Sequence, residues 1–158
     1  MKREFLHANS SKYEYIFLVA EISAALWVHI VTFETTLRNF LARNLKAIQS
    51  SEEWWKNDNL FAKDERLALS RCLRKLSTRR MELNSENLIS NLSLSFWVKL
   101  LGKRYHETIW LKIVGYFPVD PGRRSEFHRK AREIRNLRNS IAHHGPIMRR
   151  NQIGRAHV

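Results

Sequence analysis

Apolar residues recur at every third or fourth position through much of the chain, which is the spacing of one face of an α-helix. The longest pattern predicts a helix over residues 13–48, after which Ser50-Ser51-Glu52-Glu53 marks a break. The periodic apolar positions of this first helix are Val19, Leu26, Ile30, Phe33, Leu37, Phe40 and Leu41.

The same spacing predicts four more helices. The second covers residues 63–83; the third starts at an N-cap, Ser85, and stops at Gly102. The fourth covers 105–114, a turn occupies 117–122, and the last covers 124–144. The predicted apolar positions are Leu67, Cys72, Leu73 and Leu76 in the second helix, Leu88, Ile89, Leu92, Phe96 and Leu100 in the third, and Phe127, Ala131, Ile134 and Ile141 in the last.

Composition agrees with this pattern. Only 5 Gly and 3 Pro occur in 158 residues, and the chain is long enough to bury a core. We therefore expect an all-α fold, a bundle of about five helices in a single domain. Phe96 and Trp97 are expected in its core, because adjacent large aromatics on an amphipathic helix are usually packing residues.

Residues 16–33 are apolar enough to raise the question of a membrane segment. Glu21 and His29 interrupt the run, and a charge near the centre of a bilayer is costly. We therefore expect no membrane segment and a cytoplasmic protein. The single cysteine, Cys72, excludes an internal disulfide and a zinc site built from cysteines.

The charge of the chain points to a polyanionic partner. Lys and Arg number 28 against 15 Asp and Glu, a net charge of +13. The alternative is a solvated basic surface that needs no ligand. The basic face of the second predicted helix carries Arg66, Arg71, Arg74, Lys75, Arg79 and Arg80.

The most informative segment is Arg138-Asn139-Ser140-Ile141-Ala142-His143-His144-Gly145-Pro146, at the predicted end of the last helix. It combines a permanent cation, an amide and two imidazoles, which suit phosphodiester chemistry without a metal. Imidazole suits proton transfer near neutral pH, and guanidinium offers two parallel hydrogen bonds to a phosphorane. His143 is the candidate for proton transfer, Arg138 for phosphate contact, and Asn139 for orienting either group. Adjacent histidines face different directions on a helix, so we expect no metal there.

The Arg-x4-His spacing resembles the motif of HEPN-type ribonucleases, and the whole segment resembles the signature of Abi-like (abortive infection) proteins. Two other blocks resemble that family in the same order, Phe33-Glu34-x-x-Leu37-Arg38-Asn39 and Leu92-Ser93-x-x-Phe96-Trp97. The chain departs from the family at Gly145, where a glutamate is usual.

The resemblance implies a HEPN-like helical bundle and a metal-independent, toxin-type endoribonuclease of phage defence, without a cofactor. It also implies RNA as substrate, a homodimer through the motif helix and a cognate antitoxin. Arg138, Asn139 and His143 would be catalytic, with His144, Glu34 and Arg38 as accessory groups. The candidates for RNA-phosphate contact are Arg149, Arg150, Arg135, Arg71, Arg74 and Lys75.

Helix geometry adds a condition to this reading. Arg138 and His143 are five residues apart, so an ideal helix directs them about 140° from one another. They converge if the helix distorts near Gly145-Pro146, or if two copies face each other, as in HEPN proteins. The second case predicts a C2 homodimer as the active form.

Two other functions stay open at this point. One is a non-catalytic RNA-binding or partner-binding module of the same fold, and the other is an antitoxin-regulated interaction protein without a nucleic-acid role. The last six residues, 153–158, resemble the translation of a common sequencing adapter. The expected domain therefore covers residues 1–152, truncated at its C-terminus.

Overall fold

The computed structural model describes residues 2–57 and 59–143, with side chains from Tyr13 onward. Every regular element among these residues is helical, which confirms the all-α prediction. The α-helices are α1 (Lys2–Gln49), α2 (Lys63–Thr78), α3 (Ser85–Asn91), α4 (Leu94–Lys99), α5 (Leu111–Ile113) and α6 (Arg124–Ala142). Single turns of other helix types occupy Trp54–Lys56, Lys103–Tyr105, His106–Trp110 and Val114–Tyr116.

The described residues group into two compact units. Residues 34–135 form the core unit, and residues 2–33 with 136–143 form the motif unit. The core unit contains the last third of α1, the start of α6 and all elements between them. The motif unit contains the first two thirds of α1 and the end of α6, which carries Arg138.

The core unit is organised around Trp54, whose side chain has no exposed surface. Its ring centroid lies 5.8 Å from that of Trp55, 6.0 Å from that of Phe61 and 5.8 Å from that of Trp97. Phe96 completes this tryptophan cluster at 6.5 Å. Phe96 and Trp97 are 2% and 0% exposed, so the prediction that both are core aromatics is confirmed.

A second set of rings holds the start of α6 within the core unit. The ring centroid of Phe127 lies 5.8 Å from that of Trp110 and 5.2 Å from that of Phe117. Phe117 also lies 4.3 Å from Phe40 of α1. The predicted turn after residue 116 therefore begins at a half-buried ring that packs on α1 and α6, and Gly122 ends it with a φ of +69°.

Helix α2 differs from its prediction in length and in its buried face. It ends at Thr78 instead of residue 83, and Arg80 follows with a φ of +54°, outside the right-handed helical region. The side chains it buries are Glu65, Leu69, Cys72 and Leu76, whereas Leu67 is 44% exposed. Hydrophobic periodicity places Leu67 on the apolar face because it counts only apolar residues. It therefore overlooks Glu65, the carboxylate with which the buried stripe begins.

The predicted third helix is two helices. Leu92 adopts an extended conformation, with ψ of 136°, between α3 and α4. The N-cap of α3 is Asn84, whose side chain accepts a hydrogen bond from the Asn87 N–H at 2.9 Å. The N-cap prediction for Ser85 is therefore wrong. Ser85 instead accepts a hydrogen bond from the indole N–H of Trp54 at 3.3 Å.

The ends of the other helices are shifted as well. Helix α1 starts at Lys2 instead of residue 13, because no glycine or proline interrupts the chain before that point. The predicted helix over 105–114 is a succession of a π-turn, α5 and the start of a 3-10 turn. Of the predicted inward positions of α6, Ala131 is buried, and Phe127, Ile134 and Ile141 are half-buried.

The part of α1 in the motif unit leaves large apolar side chains exposed. Phe17 is 70% exposed, Val28 66% and Tyr13 59%. By length and composition, Tyr13–Gln49 could cross a membrane, and only 6% of its most apolar stretch is buried. Length and composition alone do not distinguish a membrane segment from a surface covered by another protein.

A buried carboxylate and a buried phenol anchor the start of α2 in the core unit. The Tyr105 hydroxyl donates to Glu65 Oε2 at 2.7 Å and accepts from the Ala62 N–H at 3.0 Å. Burial raises the pKa of Tyr105 to about 12. The folded protein therefore keeps this proton to a higher pH than the unfolded chain does. The stability that depends on it is present below about pH 10 and is lost as the pH rises towards 12.

Replacing Tyr105 by phenylalanine should destabilise the protein by about 1–3 kcal/mol, because Glu65 is left buried without its hydroxyl donor. Equilibrium unfolding in urea, followed by circular dichroism, measures the change. Tyr116→Phe is the matched control, since Tyr116 is 68% exposed and should change stability little. Equal stabilities of the two variants would show that the Tyr105 hydrogen bond is energetically unimportant.

Candidate functional site

The candidate catalytic residues lie on the last turns of α6, in the motif unit. The His143 N–H donates to the Asn139 carbonyl at 3.1 Å, a regular helical bond from residue i to residue i−4. Helical geometry therefore continues as far as the His143 amide. Asn139 and His143 are exposed and lie about 40° apart around the helix axis, so they share one face.

Arg138 has a different environment from its two neighbours in the motif. Its side chain is half-buried, with Nε buried, and its guanidinium carbon lies 6.0 Å above the ring centroid of Trp27. A cation over an indole face is attracted by the negative charge density of that face. This contact fixes a guanidinium beside the end of α6. Trp27 was missed as a site residue, because no motif links it to an arginine so distant in sequence.

The described part of α6 bears on the geometry of this site. With helical geometry kept to His143, Arg138 and His143 of one chain diverge by about 140°. Helical geometry is seen up to the His143 amide, and the predicted distortion near Gly145-Pro146 lies outside the described residues. One chain therefore offers a fixed guanidinium on one side of α6 and an exposed imidazole on another.

Glu34 and Arg38, predicted as accessory groups, lie one turn apart on α1 in the core unit. Both are half-buried. The Arg38 Nε is buried and finds no hydrogen-bond acceptor within the described residues. The other predicted accessory residue, His144, lies outside the described residues, as do Gly145, Arg149 and Arg150.

The predicted phosphate contacts on α2 are accessible. Arg71, Arg74 and Lys75 are exposed, on the side of the helix away from buried Leu69 and Cys72. Arg135 of α6 is half-buried in the core unit. These residues provide a positive surface.

The pKa of His128 responds to the positive charges along α6. Burial lowers its pKa, and Arg132, Arg124 and Arg135 lower it further by charge repulsion. Three arginines therefore act on one imidazole from the same helix. A field of this sign attracts anions to this part of the core unit.

No group of three or more His, Cys, Asp or Glu side chains within the described residues could hold a metal ion. No family model matches the chain, and neither a curated protein nor a solved structure matches it.

The stability of the protein should fall as the pH drops from about 7.5 to 5.5, in part because of His128. Since its pKa is lowered on folding, the unfolded chain takes up the proton first, and stability is lost below the ordinary histidine pKa of 6.5. Urea unfolding at several pH values should show a shallower loss for His128→Gln than for the wild type. The control is His29→Gln, at an exposed position. An identical slope for wild type and His128→Gln would contradict the assignment.

Proposed function

We propose that the protein is a metal-independent endoribonuclease of the toxin or abortive-infection type, acting in the cytoplasm. The observation that carries this proposal is the arrangement at the end of α6. A guanidinium held over Trp27 lies on the same helix as exposed Asn139 and His143. The resemblance of the motif to HEPN-type ribonucleases supports the same reading, and the excess of positive charge supports a polyanionic substrate.

The chemistry needs only the substrate and these side chains. One imidazole takes the proton of the 2′-hydroxyl as the 2′-oxygen bonds to the adjacent phosphorus. The bond from phosphorus to the 5′-oxygen then breaks, and an imidazolium gives that oxygen a proton. The products are a 2′,3′-cyclic phosphate and a 5′-hydroxyl. Arg138 would neutralise the charge on the phosphorane, a role in which one preorganised donor commonly contributes about 10²–10³ in rate.

A site shared by two copies reconciles this chemistry with the geometry of α6. If two motif helices face each other, Arg138 of one copy meets His143 of the other. Each such pair is then a complete site, in which the His143 imidazole takes the 2′-proton, becomes an imidazolium and gives the 5′-oxygen its proton. We therefore propose a C2 homodimer through the motif helix as the active form, with a cognate antitoxin as a further partner.

The alternative is a non-catalytic RNA-binding or partner-binding module. The exposed basic residues of α2, Arg71, Arg74 and Lys75, favour it, because they could hold RNA without any reaction. Gly145, which replaces the glutamate usual in the Abi-like family, favours it as well. Cleavage by the purified protein separates the two functions.

Purified protein ending at residue 152 should cleave mixed RNA in EDTA and leave 2′,3′-cyclic phosphate ends. His143→Ala should reduce the rate by about a hundredfold or more, because the proton carrier is lost. His29→Ala is the matched control at another exposed histidine and should cleave normally. If all three proteins leave the RNA intact but bind it in a salt-sensitive way, the protein is a binding module and not an enzyme.

Mixing two inactive variants tests the shared site. Arg138→Ala and His143→Ala should each be inactive, but a heterodimer of the two keeps one intact pair of Arg138 and His143. After exchange of subunits, the mixture should recover about a quarter of the wild-type rate. Sedimentation of each variant should show a dimer. A mixture that stays inactive while heterodimers form would place the complete site within one chain.

A further inference from the structure

A cavity of about 630 Å³ in the core unit lies between the turn Lys103–Tyr105 and the start of α6. Cations come from both of its walls. Lys103 and Arg104 belong to the first wall, and Arg123 and Arg124 to the second. We call this cavity the basic pocket. The Arg-x4-His motif takes no part in it.

Hydrogen bonds hold the two walls that carry these four cations. Arg124 Nη1 donates to the Leu101 carbonyl at 2.8 Å, which ties the start of α6 to the segment that follows α4. The preceding turn is closed by Gly122, whose N–H donates to Asp120 Oδ1 at 2.9 Å. The two walls are therefore held together although they are distant in sequence.

The start of α6 adds to the positive potential. The N–H groups of Glu126 and Phe127 both donate to the Arg123 carbonyl, so regular helix begins at the pocket wall. The first turn of a 19-residue helix carries partial positive charge at its N-terminus. The helix dipole and the cationic side chains therefore both contribute positive potential at the pocket.

Negative charge in the pocket is small by comparison. Glu107 lines it, is 77% exposed, and has its Oε1 3.9 Å from His106 Nε2. The carboxylates of Asp120 and Glu126 lie beside Gly122, at the edge of the pocket. The buried Nδ1 of His106 finds no hydrogen-bond partner within the described residues. Burial is the main cause of the lowered pKa of His128, and the charges of Arg132, Arg124 and Arg135 lower it further. Four like charges kept close together favour an anion between them.

We propose that the basic pocket binds a phosphate group of an RNA strand and so positions the strand on the protein. The arginine side chains offer planar forks that match phosphate oxygens, and Lys103 adds a point charge. The volume is within the range of about 300–1,000 Å³ usual for small-ligand sites, enough for a phosphate with its sugar. RNA as the ligand rests on the proposed function, but the anion site itself does not depend on cleavage.

Binding of a fluorescein-labelled single-stranded RNA of about twelve nucleotides tests the proposal by anisotropy. The measurement uses the His143→Ala protein in EDTA, so that the RNA stays intact. Lys103→Glu with Arg123→Glu removes one cation from each wall and leaves the bond from Arg124 to Leu101 in place. This pair of changes should weaken binding at least about tenfold and lower the salt dependence by about two phosphate contacts.

The matched control is Lys112→Glu with Lys130→Glu, which changes the net charge equally at two exposed positions outside the pocket. It should weaken binding by less than about threefold through the general field. Equal losses for the two pairs, or unchanged binding for the pocket pair, would overturn the proposal. Circular dichroism checks that both double variants are folded.

Inorganic pyrophosphate separates failure of the pocket from failure of the proposed function. Calorimetric titration should show pyrophosphate binding to the control protein and its loss in the pocket variant. If this result holds while no RNA binds, the anion site stands, but RNA as its ligand and the proposed ribonuclease are both overturned. If neither pyrophosphate nor RNA distinguishes the variants, the pocket is not a binding site.

Discussion

The packing of Trp54 is the constraint on which the core unit depends. Its ring meets residues from the turn that contains it, from the approach to α2 and from α4, and its N–H is bonded to the first residue of α3. Helices of six or seven residues such as α3 and α4 are not stable in isolation, so they form because they pack here. Truncating a buried tryptophan typically costs about 3–5 kcal/mol. Within this unit, the same loss would also remove the surface that these short helices share.

The basic pocket depends on this packing indirectly. The Leu101 carbonyl that receives Arg124 follows α4, and α4 is held by Phe96 and Trp97 in the tryptophan cluster. The rings of Trp110, Phe117 and Phe127 hold the other wall. A surface feature made of long, charged side chains is therefore positioned by two sets of packed rings. Long cationic side chains can form a defined site in this way without ion pairs that would neutralise them.

Sequence periodicity predicted the helical class and the core role of Phe96 and Trp97, since both follow from apolar spacing. It failed where tertiary contacts decide the local structure. The extended backbone of Leu92 divides one predicted helix in two, and the bond from Trp54 gives Ser85 a different role from the predicted N-cap. Periodicity also missed the buried face of α2, because Glu65 is buried through its bond to Tyr105 and not through hydrophobicity.

In the candidate site too, some features could be predicted from the sequence and others depend on tertiary contacts. Arg138, Asn139 and His143 were found because a short motif contains all three. The contact of Arg138 with Trp27 and the four cations of the basic pocket join residues that are remote in sequence and follow no period. Only the folded arrangement brings them together. The accessory role of Glu34 and Arg38 stays a prediction from resemblance, with the unpaired Nε of Arg38 within the described residues as its one structural sign.

The distribution of the five tryptophans has a practical consequence. Trp54, Trp55, Trp97 and Trp110 are each 7% exposed or less, whereas Trp27 is 36% exposed, in the motif unit. An aqueous quencher such as iodide should therefore extinguish the emission of Trp27 and leave that of the other four nearly unchanged. The quenchable fraction of the fluorescence becomes a built-in optical signal for the part of α1 in the motif unit. If a partner chain, a lipid surface or an RNA covers Trp27, it protects this emission from the quencher. Binding is then detected without any label.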